Sequence, residues 1–453
     1  MAFKDLLKNL PEVEGPKEKK LSFNVKLKWT IIILVSFFVL ANVPLYGLAR
    51  NAMERFEYLA IIMGTDFGSI ISLGIGPIVM ASIILQLLVG SKILDIDTSS
   101  EEGKKFFSGL QKLMVLFFII FEAIVYVLMK GLQAVPGLAW LVVLQLILGG
   151  LIIFFMDEVC QKWGFGSGVS LFIAAGVGWR LFTAAFQFLG PEKTIQFSGK
   201  IPVLIMSVIA ADTIGALKAL TALLATVILF LAVVWAQSLK VEVPLSFDRL
   251  RGYGIKWPLS FFYASVIPVI LTAALVANLQ LFGGLLQNWL GRATFLGNFV
   301  QGQAVSGLAF WLGSTNLVEA GITGSLRSVF LLQGLTHILF FMVFATIFSI
   351  FWVKTSGMDA QAQAHNILSS GLQIPGFRKD ERVLESVLSR YIMPLTIMGG
   401  AAIGLLAASA NLLGTLTSGT ALLLGIMIMF QFYQNIAQQH AVDMHPAMKK
   451  FIG

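Results

Sequence analysis

The chain is short of almost everything that soluble chemistry uses. Its 453 residues include one cysteine, Cys160, so no disulfide can form within it and cysteine usage leaves the redox compartment undetermined. Charged residues make up 12% of it and histidines number four, and no HExxH, no P-loop and no paired Cys/His set occurs. The aspartates all fall outside the central parts of the apolar runs, which excludes an intramembrane aspartyl pair. "GFGSGVS" fits neither GxGxxG nor GxSxG, and no strand precedes it; its glycines read better as small residues for close helix packing. The opening "MAFKDLLKNLPEVEGPKEKK" lacks the unbroken apolar core of a cleavable signal. No catalytic residue, metal ligand or cofactor fingerprint is found, and the chain reads as a non-enzyme.

What the chain has is grease. Hydrophobic residues make up 57% and the mean hydropathy is +0.84. A membrane crossing needs roughly 20 apolar residues, and such windows fall near 28–48, 72–91, 108–129, 137–156, 166–188, 214–238, 258–283, 333–353, 386–410 and 416–434. They predict an all-α polytopic membrane protein of about ten transmembrane helices, because in lipid only helices or closed barrels satisfy the backbone. Phe3, Leu6, Leu7 and Leu10 are spaced for a short amphipathic helix on the membrane surface. With the N-terminus inside, roughly 23 of the 32 basic residues fall on the inner side, so both termini are expected to be cytoplasmic. Ten spans divide into five plus five, and an odd half must be inverted relative to its partner. The expected division is an N-terminal segment 1–25, a first half 26–190 and a second half 191–453, with cytoplasmic loops 239–257 and 354–385.

Inside the spans ionisable groups are few: Glu122 in "FFIIFEAIVYV" is open to a gating or a packing role, and His337 in "QGLTHILFF" reads as structural. The second apolar window opens oddly, with Gly74, Gly76 and Pro77 breaking what would otherwise be a helix start. Ile75 and Val79 share one helix face, as do Val169 and Ile173, and on spacing alone such pairs read as core or lipid-facing. A channel and a secondary transporter of a small solute stand level on these grounds. An intramembrane enzyme lacks a nucleophile–base pair.

"ISLGIGPIVMASIILQLLVGS", "GFGSGVSLFIAAGV", "VEVPLSFDRLRG", "SVIPVILTAALVANLQLF" and "PGFRKDERVLESVLSRYI" occur in this order. Together they resemble the SecY family, the central subunits of the Sec protein-translocation channel, in its archaeal and eukaryotic branch. The likeness runs to about residue 450 and is weakest over the loop 284–332. It implies two inverted five-helix halves around a central pore, and a channel that passes secretory polypeptides and releases membrane segments laterally. By motif, the pore ring would be Ile75, Val79, Val169, Ile173, Ile270 and Leu424, with Leu424 the loosest match. Residues 56–67 would be the plug half-helix and Gly74, Gly76 and Pro77 its hinge. Gln86 and Asn278 match polar positions of a lateral gate formed by spans two, three, seven and eight, with Pro268 fitting a kink near that seam. Arg249, Arg251, Arg378 and Lys379 would dock a ribosome, against the rival reading of simple positive-inside bias. Implied partners are small SecE-type and β-type membrane subunits, the ribosome, signal peptides, nascent polypeptides and the lipid bilayer. No cofactor is implied, and the expected location is the cell membrane ahead of the endoplasmic reticulum. Against the resemblance, the transporter remains the alternative.

Overall fold

A computed structural model describes residues 11–18, 21–48, 68–90, 93–94, 96, 101–129, 131–188, 198–247, 254–264, 266–300, 303–369, 372–373 and 380–444. In its first part lie α1 (Phe23–Ala41), α2 (Gly76–Gly90), α3 (Glu101–Leu128), α4 (Ala139–Trp163) and α5 (Gly168–Phe186). Then come α6 (Lys200–Ile209), α7 (Thr213–Ser238), β1 (Lys240–Phe247), β2 (Gly254–Ser260) and α8 (Ile267–Leu290). A loop follows with β3 (Asn298–Val300), β4 (Gln303–Ser306), α9 (Leu308–Leu312) and α10 (Leu317–Ile322). The chain closes with α11 (Ser328–Thr355), α12 (Ala360–Ser369), β5 (Leu372–Gln373), α13 (Glu381–Leu413) and α14 (Gly419–Met444).

Among the described residues nine helices are long and apolar enough to cross a membrane: α1, α3, α4, α5, α7, α8, α11, α13 and α14. The 15-residue α2 is shorter but equally apolar, so every apolar window of the sequence carries one helix. Their outer faces are greasy: Leu331, Leu335, Leu339 and Val343 recur every fourth residue along α11 and are all exposed. A stripe of that kind is stable only against lipid. Contacts fall into two groups. In the first, α4 packs against α1, α3 and α5, and α3 against α2; in the second, α11 packs against α8 and α13, and α14 against α7 and α13. The groups meet along two seams, α2 on α8 and α11, and α5 with α1 on α14.

The window 258–283 begins too early as a helix. Residues 258–260 close β2, and α8 starts at Ile267 with Pro268 in its first turn. There the missing N–H has no helical partner to lose, so Pro268 starts the helix and is not a mid-helix kink. The loop 239–257 also holds more order than a connector: β1 pairs antiparallel with β2 from Lys240↔Ser260 to Ser246↔Gly254. β5 extends the sheet at Ser246↔Gln373 and Phe247↔Leu372. Val243 and Leu259 of the hairpin share a small core with Val353 of α11, Ala364 and Ile367 of α12, and Leu384 and Leu388 of α13.

At the hairpin end of the bundle the N-terminal strap is tied down by charge. The amphipathic stretch up to Leu10 lies outside the described residues, but Glu12–Glu14 cross the ends of α3 and α4. Val13 donates its N–H to Glu158 Oε2 at 3.0 Å, and Lys112 of α3 reaches Glu158 Oε1 at 2.6 Å and Glu12 Oε2 at 3.3 Å. Lys162 of α4 pairs with Glu12 and donates to the Val13 carbonyl, while Trp163 Nε1–H donates to the Glu14 carbonyl at 3.0 Å. The Lys162 hydrogen bond, aided by Lys112, holds the Glu12 carboxyl below its ordinary 4.5. A depressed carboxyl stabilises its folded contact above the ordinary value and loses that contribution as pH falls through the lowered one. Hydrogen exchange at the Trp163 indole N–H, which the Glu14 carbonyl of the strap accepts, corrected for intrinsic rate, is therefore expected to speed up in wild type only below about pH 4.5. Lys162→Ala should give the faster exchange already at neutral pH; equal protection in the variant would show that charge does not hold the strap.

Candidate functional site

The oddity at the start of the second apolar window is a buried turn. Gly68 and Gly74 take φ of +96° and +53°, a backbone that side chains resist. Ser72 Oγ accepts the Gly68 N–H at 2.8 Å, Gly74 N–H bonds Ile71 at 2.8 Å, and Ile71 and Leu73 are fully buried. Gly76 and Pro77 open α2, again where proline has no helical bond to lose. Beneath the turn, α4 offers adjacent glycines: a Cβ on Gly149 would overlap the Ile70 carbonyl oxygen, and one on Gly150 would stand 2.8 Å from Ile119. The tandem "GG" of "LILGGLIIF" was the signal for this close approach. The proposed plug, 56–67, lies outside the described residues, as do Arg249, Arg251, Arg378 and Lys379.

Of the six aliphatic ring candidates, Ile75, Val79, Ile173, Ile270 and Leu424 are buried in one continuous apolar cluster, and half-buried Val169 packs against it. They come from α2, α5, α8 and α14 with the residue just before α2, the helices that meet across both seams. Ile173 and Leu424 line a cavity of about 40 Å³ with Val177, Ala273 and Val276. Gly425 lets α14 approach α5 there, since a Cβ on it would stand 2.7 Å from Val177. Val169 is fixed by its backbone: its N–H donates to Asp157 Oδ1 at 2.9 Å. Asp157 also accepts from Gln161 Nε2 at 2.8 Å, and a Cβ on Gly168 would stand 2.6 Å from the Asp157 Cα. The glycines of "GFGSG" thus serve the tight α4–α5 turn. Asp157 and Glu158, both buried, were missed because they lie at the very end of an apolar run.

The two amides assigned to a gate are both buried, Gln86 on α2 and Asn278 on α8. No hydrogen bond joins them. Asn278 Nδ2 donates to the Ala274 carbonyl of its own helix at 2.8 Å, and its oxygen and that of Gln86 lack a partner among the described residues. Both carboxyl oxygens of Glu122 on α3 are unpaired in the same sense. Gln86 stands about 6 Å from the hairpin end of α2 and Asn278 about 17 Å from the start of α8, at 1.5 Å per residue. The amides therefore occupy different depths. The turn just past the end of α3 meets α8, since a Cβ on Gly131 would stand 2.7 Å from Leu285, which sets Glu122 nearer the level of Asn278.

These elements define a class: a polytopic α-helical membrane protein whose two helix groups meet on aliphatic seams, with no metal-ligating cluster among the described residues. A protein-family model described as SecY matches residues 69–433. The protein translocase subunit SecY of Methanothermobacter thermautotrophicus is 44% identical over all of this chain and 98% of its own. A solved protein-conducting channel superposes with a TM-score of 0.83 at 36% identity, covering 98% of each chain. Sec61 in the canine ribosome-channel complex from the endoplasmic reticulum gives 0.79 at 35% identity, again over 98% of each. The chain belongs to the SecY family.

The Gly149 contact is directly testable. Gly149→Ala forces the Ile70 carbonyl aside and should lower stability by about 1–3 kcal/mol, read as a lower midpoint of thermal unfolding in detergent. An unchanged midpoint would mean that residues 68–75 are not held against α4.

Proposed function

We infer that this chain is the protein-conducting channel of its membrane, passing secretory polypeptides across and releasing apolar segments sideways into lipid. The observation that carries the reading is the burial of Ile75, Val79, Ile173, Ile270 and Leu424 in one cluster on helices that meet across both seams. A passing polypeptide presents every kind of side chain, so a lining that bound any of them strongly would stall it. Branched aliphatics offer neither charge nor strong hydrogen bonds, close around a chain, and shed water when the pore is empty. Val169 completes the ring from the α5 terminus. Residues 56–67 act as the plug, and the left-handed glycine at Gly74, with Gly76 and Pro77, supplies the hinge above a turn anchored on α4.

The lateral gate is the seam where α2 meets α8 and α11, with α3 moving alongside α2. A buried acceptor left without a partner costs about 1–3 kcal/mol. The lone oxygens of Gln86, Glu122 and Asn278 therefore hold the closed seam below its full stability, and a signal helix that opens it regains part of that loss. A solute-coupled transporter would need paired polar groups at mid-membrane, and these three are unpaired. The chain itself breaks no bonds; the ribosome or another motor supplies the force. Arg249, Arg251, Arg378 and Lys379 meet RNA phosphates, a reading supported by the pairing of β1 with β5, whose ends lead into both basic stretches. Small SecE-type and β-type subunits complete the complex. We propose the halves 26–190 and 191–453 and cytoplasmic termini, a reading supported by the helix order and the Lys/Arg count, and the cell membrane as location, supported by the likeness to archaeal relatives.

Replacing Ile75, Val79 and Ile270 together by Gly should raise resting ion conductance in planar bilayers several-fold; an unaltered leak would remove the ring. Asn278→Leu removes an unmet acceptor from the closed seam and should therefore raise the apolarity a signal sequence needs for export, measured with a graded series of signals. An identical threshold would dismiss Asn278 from the gate.

A further inference from the structure

The polar groups between α11, α13 and α14 form a closed relay that the channel reading leaves unused. His337 of α11 is buried, with Nδ1 2.7 Å from the Leu312 carbonyl and Nε2 3.1 Å from Asn411 Nδ2. An amide nitrogen only donates, so Nε2 accepts and the Nδ1–H donates to Leu312. Asn411, in the last turn of α13, gives an N–H to Thr420 Oγ1 at 2.5 Å. Its oxygen takes the Thr420 N–H at 2.8 Å, a donor that the start of α14 cannot satisfy within the helix. The relay thus runs from the short helix α9, which ends at Leu312, through α11 and α13 to the first turn of α14.

Its far end points at the pore. Thr420 and Leu424 are one turn apart on a single face, and with His337, Asn411 and Ile173 they line the same cavity. Its near end belongs to the gate, because α11 packs against both α2 and α8. Around Thr420 little can slide: a Cβ on Gly419 would overlap the Ala410 backbone, and Leu416 N–H bonds Thr226 of α7 at 3.0 Å. Resting on the assignment of Ile173 and Leu424 to the ring, we propose that His337 and Asn411 are positioning residues. They hold α14 in the register that seats Leu424 against Ile173, and they slacken that hold when α11 moves away from α2. Opening of the side seam and widening of the constriction are then one event, since the relay has two arrangements that both sites bias.

The test is resting ion conductance per channel, with the full chain reconstituted in planar bilayers alongside the small subunits that co-purify with it. His337→Leu and Asn411→Leu should each raise the leak about fivefold, the factor carried by one net hydrogen bond. The double variant should leak no more than the worse single one, because both cut the same relay. His337→Gln, whose amide can accept from Asn411 and donate to Leu312, should return near the wild-type level. A misfolded chain forms no channel, so a raised leak cannot come from unfolding. Ile270→Gly separates the two ideas. If it leaks while His337→Leu and Asn411→Leu do not, the relay has no positioning role and the ring stands. If Ile270→Gly does not leak, the ring assignment fails and this inference falls with it. His337→Gln leaking like His337→Leu, or a fully additive double variant, also overturns the proposal.

Discussion

In a bilayer the medium outside a helix bundle is as apolar as the side chains within it, so helices gain little by leaving lipid. What holds them is how closely their backbones can approach. Here that distance is set by glycine. A Cβ on Gly404 would stand 2.5 Å from the Phe341 carbonyl oxygen, and Gly400 makes the same allowance for Ser349, which lets α13 lie along α11. Gly425 does so for α14 and α5, and Gly149 for α4 and the turn before α2. Ile173 and Leu424 can share one cavity only because α5 and α14 come this near. The aliphatic cluster is thus a result of backbone approach and needs no special attraction among its members.

The two seams differ in what they bury. Where α5 meets α14 the contact is aliphatic and glycine-spaced, and the polar groups beside it, His337, Asn411 and Thr420, are matched donor to acceptor. The seam helices α2 and α8, and α3 beside them, carry the unmatched oxygens of Gln86, Asn278 and Glu122. Unmet acceptors in a low-dielectric interior weaken the arrangement that buries them. The closed state is therefore least satisfied along α2, α8 and α3, the side built to give.

Much of this was legible in the sequence. The windows of apolar residues each hold one helix, because a backbone in lipid has no other open-ended way to pair its groups. The break at Gly74–Pro77 is real, and its burial under α4 is what the sequence could not express. The hairpin at 240–260 was hidden in "KVEVPLSF" and "GIKWPLS", whose prolines mute the strand signal. Pro258 is tolerated because β2 is an edge strand. Pro268 misled because the helix begins later than hydropathy suggests. The relay was illegible for a plainer reason: His337 and Asn411 lie 74 residues apart, and only folding brings them together. Likewise, the family resemblance assigned Gln86 and Asn278 to one seam but could not assign their depths.

The hairpin's small core has a mechanical meaning. Val243 and Leu259 are packed with Val353 at the tail of α11 and with Leu384 and Leu388 near the head of α13. Close-packed interiors hardly compress. A load pressed onto the sheet from outside the bilayer is therefore not absorbed as loop flexing. It reaches α11 as torque on a stiff lever whose other arm is the flank of α2.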